Sequence, residues 1–171
     1  IAEHRCGTTE DPDFSAVRLA FVGDGNNVAN SLLVASATVG MSMTLARPEG
    51  YGPDEGALRE ALTLAEGTGA RIQVTDDPRE AVRDADVVYT DVWTSMGQEE
   101  EREARLQAFR GWCVTPELMR LARPDAIVMH CLPAHRGEEI AAEVIDGPQS
   151  VVFDQAENRL HAQMGLLSFL L

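Results

Sequence analysis

Residues 17–46, VRLAFVGDGNNVANSLLVASATVGMSMTLA, carry the strongest indication of the fold. They hold an apolar run at 17–22, a glycine-rich turn, an amphipathic stretch at 27–38 and a second apolar run at 42–46. A strand, a helix and a second strand in this order form the unit of parallel sheets, because parallel neighbours need a crossover connection. The segment therefore predicts a parallel sheet with helices packed against it.

The same alternation continues along the chain and predicts one α/β domain. Strands are predicted at 17–22, 42–46, 71–75, 86–90, 126–130 and 150–153. Helices are predicted at 27–38, 54–66, 78–83, 99–109, 116–122 and 138–145, and a last helix from about residue 157 to the end. The expected architecture is a doubly wound parallel sheet with helices on both faces, of the Rossmann-like kind. Residues 17–171 form the domain, and residues 1–16 are a linker or the remnant of another helix.

Composition excludes several classes of partner. The chain has 28 acidic and 14 basic side chains, which gives a formal net charge of −14. Such a surface repels phosphate backbones and anionic lipid head groups, so neither nucleic acid nor a membrane is expected as a partner. The stretch 25–46 is free of charge, but its asparagine, serine and threonine side chains are costly in hydrocarbon.

The cysteines and the first residues of the chain indicate a cellular location. Cys6, Cys113 and Cys131 are odd in number, far apart and free of any C-x-x-C pair, so neither a disulfide framework nor a zinc cluster is indicated. The opening residues carry charges of both signs and lack the apolar core of a secretory signal. A cytoplasmic location is therefore expected.

The loops after four predicted strands are unusually polar. Ligands bind beyond the carboxyl ends of the strands in an open parallel sheet, so residues 23–27, 91–97, 131–136 and 154–159 are expected to meet at one rim. Asp91 is the most informative of them, because a carboxylate that ends an apolar strand is partly desolvated unless something pairs with it. An ammonium ligand would suit Asp91, and backbone N–H groups of the loop are the alternative partners.

Single residues at this rim also allow other interpretations. The turn after the first strand resembles a dinucleotide fingerprint, but Val28 stands where the third glycine belongs. Asn27 suits a polar ligand, and it also suits a helix N-cap. Cys131 is by default a small buried hydrophobe, and His130 points to the opposite side of its strand, so the two are not expected to form a Cys–His pair.

Four motifs stand out along the chain: VGDGNN, YTDVWTSMGQE, MHCLPAHRG and FDQAENRLHAQ. In order and spacing they closely resemble the second half of ornithine carbamoyltransferases, from about Val17 to the end of the chain. The resemblance implies the L-ornithine-binding domain of a transferase that makes L-citrulline and phosphate from L-ornithine and carbamoyl phosphate. The alternatives are a carbamoyltransferase for another amine, such as putrescine or acetylornithine, and a dinucleotide-binding module.

The resemblance also implies a role for each matching residue. The matches to the residues that hold the α-carboxylate and α-ammonium of ornithine are Asn27, Asp91, Ser95 and Met96. The matches to the residues that meet the carbamoyl group and the attacking δ-amine are Cys131 and Leu132, and Arg159 matches a contact to carbamoyl phosphate. Cys131 and Asp91 are thus the catalytic candidates. The resemblance implies no metal and no organic cofactor.

The other half of the family pattern is missing from this sequence. That half carries an S-T-R-T helix start and an H-P-T-Q segment, and neither occurs here. The resemblance therefore implies a chain that lacks the carbamoyl phosphate domain, binds ornithine weakly and does not turn over alone. It also implies that the homotrimer of the full-length enzyme, which forms through the missing domain, does not assemble, and that the last helix exposes apolar surface.

Overall fold

Five parallel strands form one sheet in the computed structural model of the chain, which describes residues 1–94 and 101–171. The strands are β1 (Arg18–Val22), β2 (Ser42–Ala46), β3 (Ile72–Thr75), β4 (Val87–Thr90) and β5 (Ile127–His130). Their order across the sheet is β3-β2-β1-β4-β5. The chain therefore winds outward from β1 in one direction and then in the other, and the crevice between the ends of β1 and β4 is the topological switch point where such sheets bind ligands.

Seven α-helices are found among the described residues, together with a short π-helical segment at Ala2–Cys6. The helices are α1 (Asn27–Thr38), α2 (Glu55–Thr68), α3 (Pro78–Val82), α4 (Arg102–Ala108), α5 (Pro116–Met119), α6 (Ala142–Ile145) and α7 (Val152–Leu170). Asp77 and Thr115 cap α3 and α5 through their side-chain oxygens, and each precedes a proline. A proline is favourable there because it fixes a helical φ and lacks an N–H that would have no partner in the helix.

Helices cover both faces of the sheet, which confirms the doubly wound α/β class. On one face, α1 and α2 pack on the alternate strand residues Leu19, Phe21 and Leu45. On the other face, α3, α5 and α6 pack on Ala20 and Val22. Successive side chains of a strand point to opposite faces, so continuous apolar strands of this kind require cover on both sides.

The strand predicted at residues 150–153 is wrong. Ser150 forms only an isolated parallel bridge with Val128, and Val152 already begins α7. A short apolar run fits a strand and a buried helix start equally well, and here Phe153 is 75% exposed, so only one face of the run is buried. As a consequence, residues 154–159 lie on α7 and do not form a loop at the rim of the sheet.

The outer part of α7 is exposed and rich in apolar side chains. Its exposed large apolar residues are Phe153, Leu160, Met164, Leu166, Leu167, Phe169 and Leu170. Within the described residues, no helix combines the length and the hydropathy needed to cross a bilayer. The apolar surface that the sequence predicted for the last helix is therefore present.

Gly25 allows a close approach between the turn after β1 and the loop that precedes α2. A Cβ at Gly25 would lie 2.3 Å from the backbone carbon of Gly52 and 2.4 Å from the nitrogen of Pro53. We expect Gly25→Ala to lower the free energy of unfolding by about 1–3 kcal/mol or more, because backbone atoms on both sides must shift. Urea unfolding measures this.

Gly67→Ala is the matched control for that substitution. Gly67 lies inside α2, and no atom lies within 4 Å of a Cβ built there. We expect this variant to gain about 0.5–1 kcal/mol, since alanine favours a helix interior over glycine. Equal stability of the two variants would show that the contact of Gly25 with Gly52 is not tight.

Candidate functional site at the carboxyl ends of β1, β4 and β5

Asp91 and Cys131 lie together at the switch point of the sheet. Asp91 follows β4, Cys131 follows β5, and the two strands are neighbours. The Cys131 thiol donates to Asp91 Oδ1 at 2.8 Å. Asp91 is only 5% exposed, so its carboxylate is largely removed from water. The structure thus brings together the two residues that the resemblance assigned to catalysis.

The two oxygens of Asp91 have different partners. Oδ1 also accepts the backbone N–H of Val92 at 2.8 Å. Oδ2 accepts from Asn26 Nδ2 at 3.4 Å, the one side-chain donor to Oδ2 found among residues 1–94 and 101–171. A carboxylate oxygen with a single long hydrogen bond has lone-pair capacity left for a further donor. Asp91 is therefore partly satisfied by its own loop and can still bind a cationic donor.

The Cys131 thiol is protonated at neutral pH. Burial, followed by the hydrogen bond to Asp91 and the charge of that carboxylate, raises the pKa of Cys131 to about 12. A thiolate is the nucleophilic form of cysteine, and almost none is present at pH 7 with such a pKa. Cys131 can therefore donate through its S–H and accept weakly at sulfur, but it is not built as a nucleophile.

The N-cap of α1 is Asn26, and Asn27 is the first residue of the helix. The Asn26 side-chain oxygen accepts the backbone N–H of Val28 at 3.1 Å and that of Ala29 at 3.5 Å. Asn27 is exposed at the same rim. The capping role considered for Asn27 therefore belongs to its neighbour, and the side chain of Asn27 is left at the surface where a ligand can reach it.

The geometry of the glycine-rich turn argues against a dinucleotide. Gly23 N–H donates to the carbonyl of Ala46 at 3.0 Å, and Gly25 N–H donates to the carbonyl of Tyr51 at 2.9 Å. The N–H groups of Val28 and Ala29, in the first turn of α1, donate to the side-chain oxygen of Asn26. A pyrophosphate binds to backbone N–H groups of such a turn, and those of Gly23, Gly25, Val28 and Ala29 already have acceptors within the chain.

Leu132 follows Cys131 with φ of 56°, in the left-handed region that non-glycine residues rarely adopt. Its backbone N–H donates to His130 Nδ1 at 2.8 Å. His130 is fully buried, and its Nε2 lies 3.2 Å from Glu139 Oε1. A ring nitrogen of His130 lies within 4.8 Å of the Cys131 sulfur. The two side chains nevertheless have separate hydrogen-bond partners, since the thiol donates to Asp91 and the imidazole contacts Leu132 and Glu139.

Two further polar groups at this rim were missed by sequence reasoning. Gln155 on α7 donates to the Tyr89 hydroxyl at 2.8 Å and accepts the backbone N–H of His130 at 3.1 Å, so it ties α7 to β4 and β5. Burial raises the pKa of Tyr89, which keeps its hydroxyl neutral. The FDQAEN motif pointed to Gln155 only as a residue of a loop.

The second missed group is a buried ion pair between Asp24 and Arg105. Arg105 on α4 donates to Asp24 Oδ2 at 2.6 Å and to the carbonyl of Trp93 at 3.1 Å. Burial raises the pKa of the Asp24 carboxyl, and the Arg105 guanidinium offsets only part of this shift. The pair joins the turn after β1, the loop after β4 and α4, so it fixes the frame around Asp91.

Three predicted site residues remain, and the structure describes only one of them. Ser95 and Met96 lie outside the described residues. Arg159 is exposed on α7, beyond Gln155 along the helix, and the loop position expected for it is wrong. Their roles at a ligand stay predictions.

A group of possible metal ligands coincides with the site, since ligand atoms of Asp91, His130 and Cys131 lie within 4.8 Å of one another. The Nδ1 lone pair of His130, however, already accepts the Leu132 N–H, and His130 Nε2 faces Glu139. The Cys131 thiol donates to Asp91 Oδ1. Both imidazole nitrogens thus have partners other than a metal ion, and a metal ion needs free imidazole lone pairs, so this group does not fit one.

An open groove of about 600 Å³ lies at the opposite edge of the sheet, lined by residues that include Arg18, Ser42 and Arg71. Its lining residues Arg18, Ser42 and Arg71 lie at the amino ends of the strands. We place the candidate site at the rim, because the carboxyl ends of parallel strands hold ligands in this fold and because the paired Asp91 and Cys131 lie there.

Comparison with known proteins identifies similar chains. The family model for the Asp/Orn-binding domain of aspartate/ornithine carbamoyltransferases matches residues 15–170. The ornithine carbamoyltransferase of Acidothermus cellulolyticus is 63% identical over 155 residues, 91% of this chain and 50% of that protein. The Archaeoglobus fulgidus enzyme of the same name is 53% identical over 177 residues, 99% of this chain and 56% of that protein.

A solved structure is equally similar. The ornithine carbamoyltransferase from Pyrococcus furiosus superposes with a TM-score of 0.85 at 53% identity, over 89% of this chain and 49% of that one. The chain therefore spans about half the length of the curated relatives it matches.

Proposed function

This chain belongs to the aspartate/ornithine carbamoyltransferase family, and we propose that it is the L-ornithine-binding half of an ornithine carbamoyltransferase. The full enzyme transfers the carbamoyl group of carbamoyl phosphate to the δ-amine of L-ornithine and releases L-citrulline and phosphate, as part of arginine metabolism in the cytoplasm. The observation that carries the proposal is the buried Asp91 carboxylate in contact with Cys131 at the switch point. Residues 17–171 form the ornithine domain, and residues 1–16 derive from the connection to the other half.

Asp91 and Asn27 give the site its specificity for an amino acid. The α-ammonium of ornithine binds Asp91 Oδ2, the oxygen with one long hydrogen bond, and neutralises a buried carboxylate. The α-carboxylate reaches the exposed amide of Asn27 at the start of α1, where the helix dipole favours negative charge. Ser95 and Met96 complete the contacts to the amino acid in this proposal.

Attack requires a neutral δ-amine, whereas lysine-like amines have pKa values near ~10.4 in water. The protonated Cys131 thiol is no competitor for the carbonyl carbon, and its sulfur accepts a hydrogen bond from the amine and orients the nitrogen lone pair. The amine nitrogen then bonds to the carbonyl carbon, the bond between that carbon and the phosphate oxygen breaks, and the departing phosphate takes the electron pair and the proton that the amine loses. Positioning of two bound reactants supplies most of the acceleration.

Carbamoyl phosphate is held between this chain and the other half of the full enzyme. Leu132 and Arg159 contribute from this side, and the cations that stabilise the departing phosphate come from the other half. The exposed apolar side chains of α7 are covered by that half in the full enzyme, and the homotrimer forms through it. The chain alone is therefore expected to bind ornithine weakly and to form no citrulline.

Parallel titrations test the proposal against its alternatives. We expect L-ornithine to bind more tightly than putrescine, which lacks the α-carboxylate, and than acetylornithine, whose α-nitrogen carries no charge for Asp91. NADP is expected not to bind, because the N–H groups of Gly23 and Gly25 already donate to carbonyl oxygens of the chain and the third glycine of a dinucleotide turn is absent. Calorimetry on the 171-residue chain gives the four affinities. A preference for acetylornithine, putrescine or NADP would refute the assignment, and citrulline formation by the chain alone would refute its expected inactivity.

A further inference from the structure

Glu139 and His130 form a fully buried pair behind the loop that carries Leu132, and both are 0% exposed. Glu139 Oε1 lies 3.2 Å from His130 Nε2 and accepts the backbone N–H of His135 at 2.5 Å. Glu139 Oε2 is buried and accepts no hydrogen bond in the described part of the chain, and the His135 imidazole Nδ1 lies 3.7 Å from it. The mechanism above uses neither residue.

The hydrogen bonds fix the tautomer of His130. Leu132 N–H points to Nδ1 at 2.8 Å, so Nδ1 must carry a lone pair and no proton. In a neutral imidazole the proton then lies on Nε2, and it faces Glu139 Oε1. Glu139 must therefore accept at that oxygen, which an ionised carboxylate always does.

The bond from Leu132 to His130 holds a strained backbone. Leu132 has φ of 56°, and a non-glycine residue in this region is strained, so the conformation persists only where its surroundings enforce it. Its N–H is committed to His130. No N–H group of the described residues donates to its carbonyl oxygen. The strain thus leaves one backbone acceptor of Leu132 available for a ligand.

A purely structural residue at position 139 would not need a charge. A buried carboxylate with an oxygen that accepts no hydrogen bond is costly, and an apolar or amide side chain of similar size would fill the space at a lower cost. An amide, however, can turn its NH₂ group toward the imidazole and favour the other tautomer. Only the carboxylate restricts His130 to the form that accepts from Leu132.

We propose that Glu139 is a positioning residue that, through the tautomer of His130, sets the backbone of Leu132 so that its carbonyl accepts a hydrogen bond from the NH₂ of the carbamoyl group. The proposal rests on the proposed function for its ligand. The anchoring of Leu132 by Glu139 and His130 is inferred from the contacts within this chain and does not depend on the proposed function.

Nuclear magnetic resonance of the chain with ¹⁵N-labelled histidine tests the anchoring, with Glu139→Gln as the variant. In the wild type we expect His130 with a proton on Nε2 and none on Nδ1. In Glu139→Gln we expect a mixture of tautomers and an exchange of the Leu132 amide hydrogen about ten-fold faster, the loss of roughly one hydrogen bond. Glu138→Gln, which removes a charge from the partly exposed neighbour, is the matched control and should leave both readouts unchanged.

A second measurement tests the link to the ligand. In the full-length enzyme, which supplies both halves of the carbamoyl phosphate site, carbamoyl phosphate is expected to shift the ¹³C resonance of the Leu132 carbonyl in the wild type and to shift it by less than half as much in Glu139→Gln. Ornithine affinity should stay within about two-fold of the wild type in that variant, because Asp91 and Asn27 are untouched.

The outcomes separate the two proposals. A wild-type His130 with its proton on Nδ1 overturns the anchoring whether or not the variant folds, and so does a variant that keeps both the tautomer and the slow exchange of Leu132. A wild-type chain with the expected tautomer but no ornithine binding contradicts the proposed function and leaves the anchoring intact. An unshifted Leu132 carbonyl in an ornithine-binding chain removes only the carbamoyl contact.

Discussion

Asp91→Ala is expected to lower the ornithine affinity of the chain by at least about 30-fold, because truncating one partner of a buried charge pair costs about 2–5 kcal/mol. The α-ammonium loses the one buried carboxylate of the described rim that has capacity for it. Calorimetric titration of the wild type and the variant measures the effect. Asp76→Asn, an exposed substitution that changes the net charge by the same amount, should bind ornithine like the wild type.

The Cys131 thiol gives an independent readout at the same position. The Asp91 carboxylate helps to raise the pKa of Cys131 to about 12, so Asp91→Asn should lower that pKa toward the ordinary value of 9.0. The sign follows because removal of a negative charge favours the thiolate. The pH profile of alkylation at Cys131 should therefore move to lower pH. An unchanged ornithine affinity in Asp91→Ala would remove Asp91 from the site, and an unchanged profile would contradict its contact with the thiol.

Arg105→Met is expected to lower the free energy of unfolding by about 3–5 kcal/mol at neutral pH, the usual cost of removing one partner of a buried ion pair. The variant leaves the Asp24 carboxylate, whose side chain is 9% exposed, without its cation. Chemical denaturation measures the loss. Arg120→Met, which breaks an exposed pair with Glu117, is the control and should cost about 0–1 kcal/mol.

The loss in Arg105→Met should depend on pH in a defined direction. Burial raises the pKa of Asp24, and Arg105 lowers it again in part. In Arg105→Met the pKa of Asp24 should therefore rise further. When the pKa of a group is higher in the folded than in the unfolded protein, the protonated group favours the folded state. This contribution to stability is present at low pH and is lost as the pH rises through the folded-state pKa. The difference from the wild type should therefore be smaller at about pH 4 than at about pH 7. The double variant Asp24→Asn, Arg105→Met should recover part of the lost free energy of unfolding. If the loss is the same at both pH values and the double variant recovers none of it, the loss is not an effect of charge.

The sequence predicted the fold best where several local signals agree. The bounds of α1 and β2 match the prediction residue for residue, because a glycine turn, a polar cap and two apolar runs follow one another closely. The predicted strand at 150–153 failed because three adjacent apolar residues carry no period. Whether this segment joins the sheet depends on its contacts with β5, which the sequence of the segment alone does not reveal.

The site was predictable from single residues only in part. Asp91 could be singled out because a carboxylate at the end of an apolar strand needs a partner, whereas its contact with Cys131 requires the strand order that places β4 beside β5. Glu139 and Arg105 gave no such signal. Each looks like an ordinary charged residue of a helix or loop, and their partners His130 and Asp24 belong to other elements of the fold. Buried polar pairs of this kind become visible only once the chain is folded.

A crystal structure of the 171-residue chain with L-ornithine tests the ornithine assignment most directly. The α-ammonium is expected within hydrogen-bond distance of Asp91 Oδ2, with the δ-amine directed toward the Cys131 sulfur and the α-carboxylate at Asn27. Ornithine bound elsewhere on the chain, or an empty rim at saturating ornithine, would contradict the assignment.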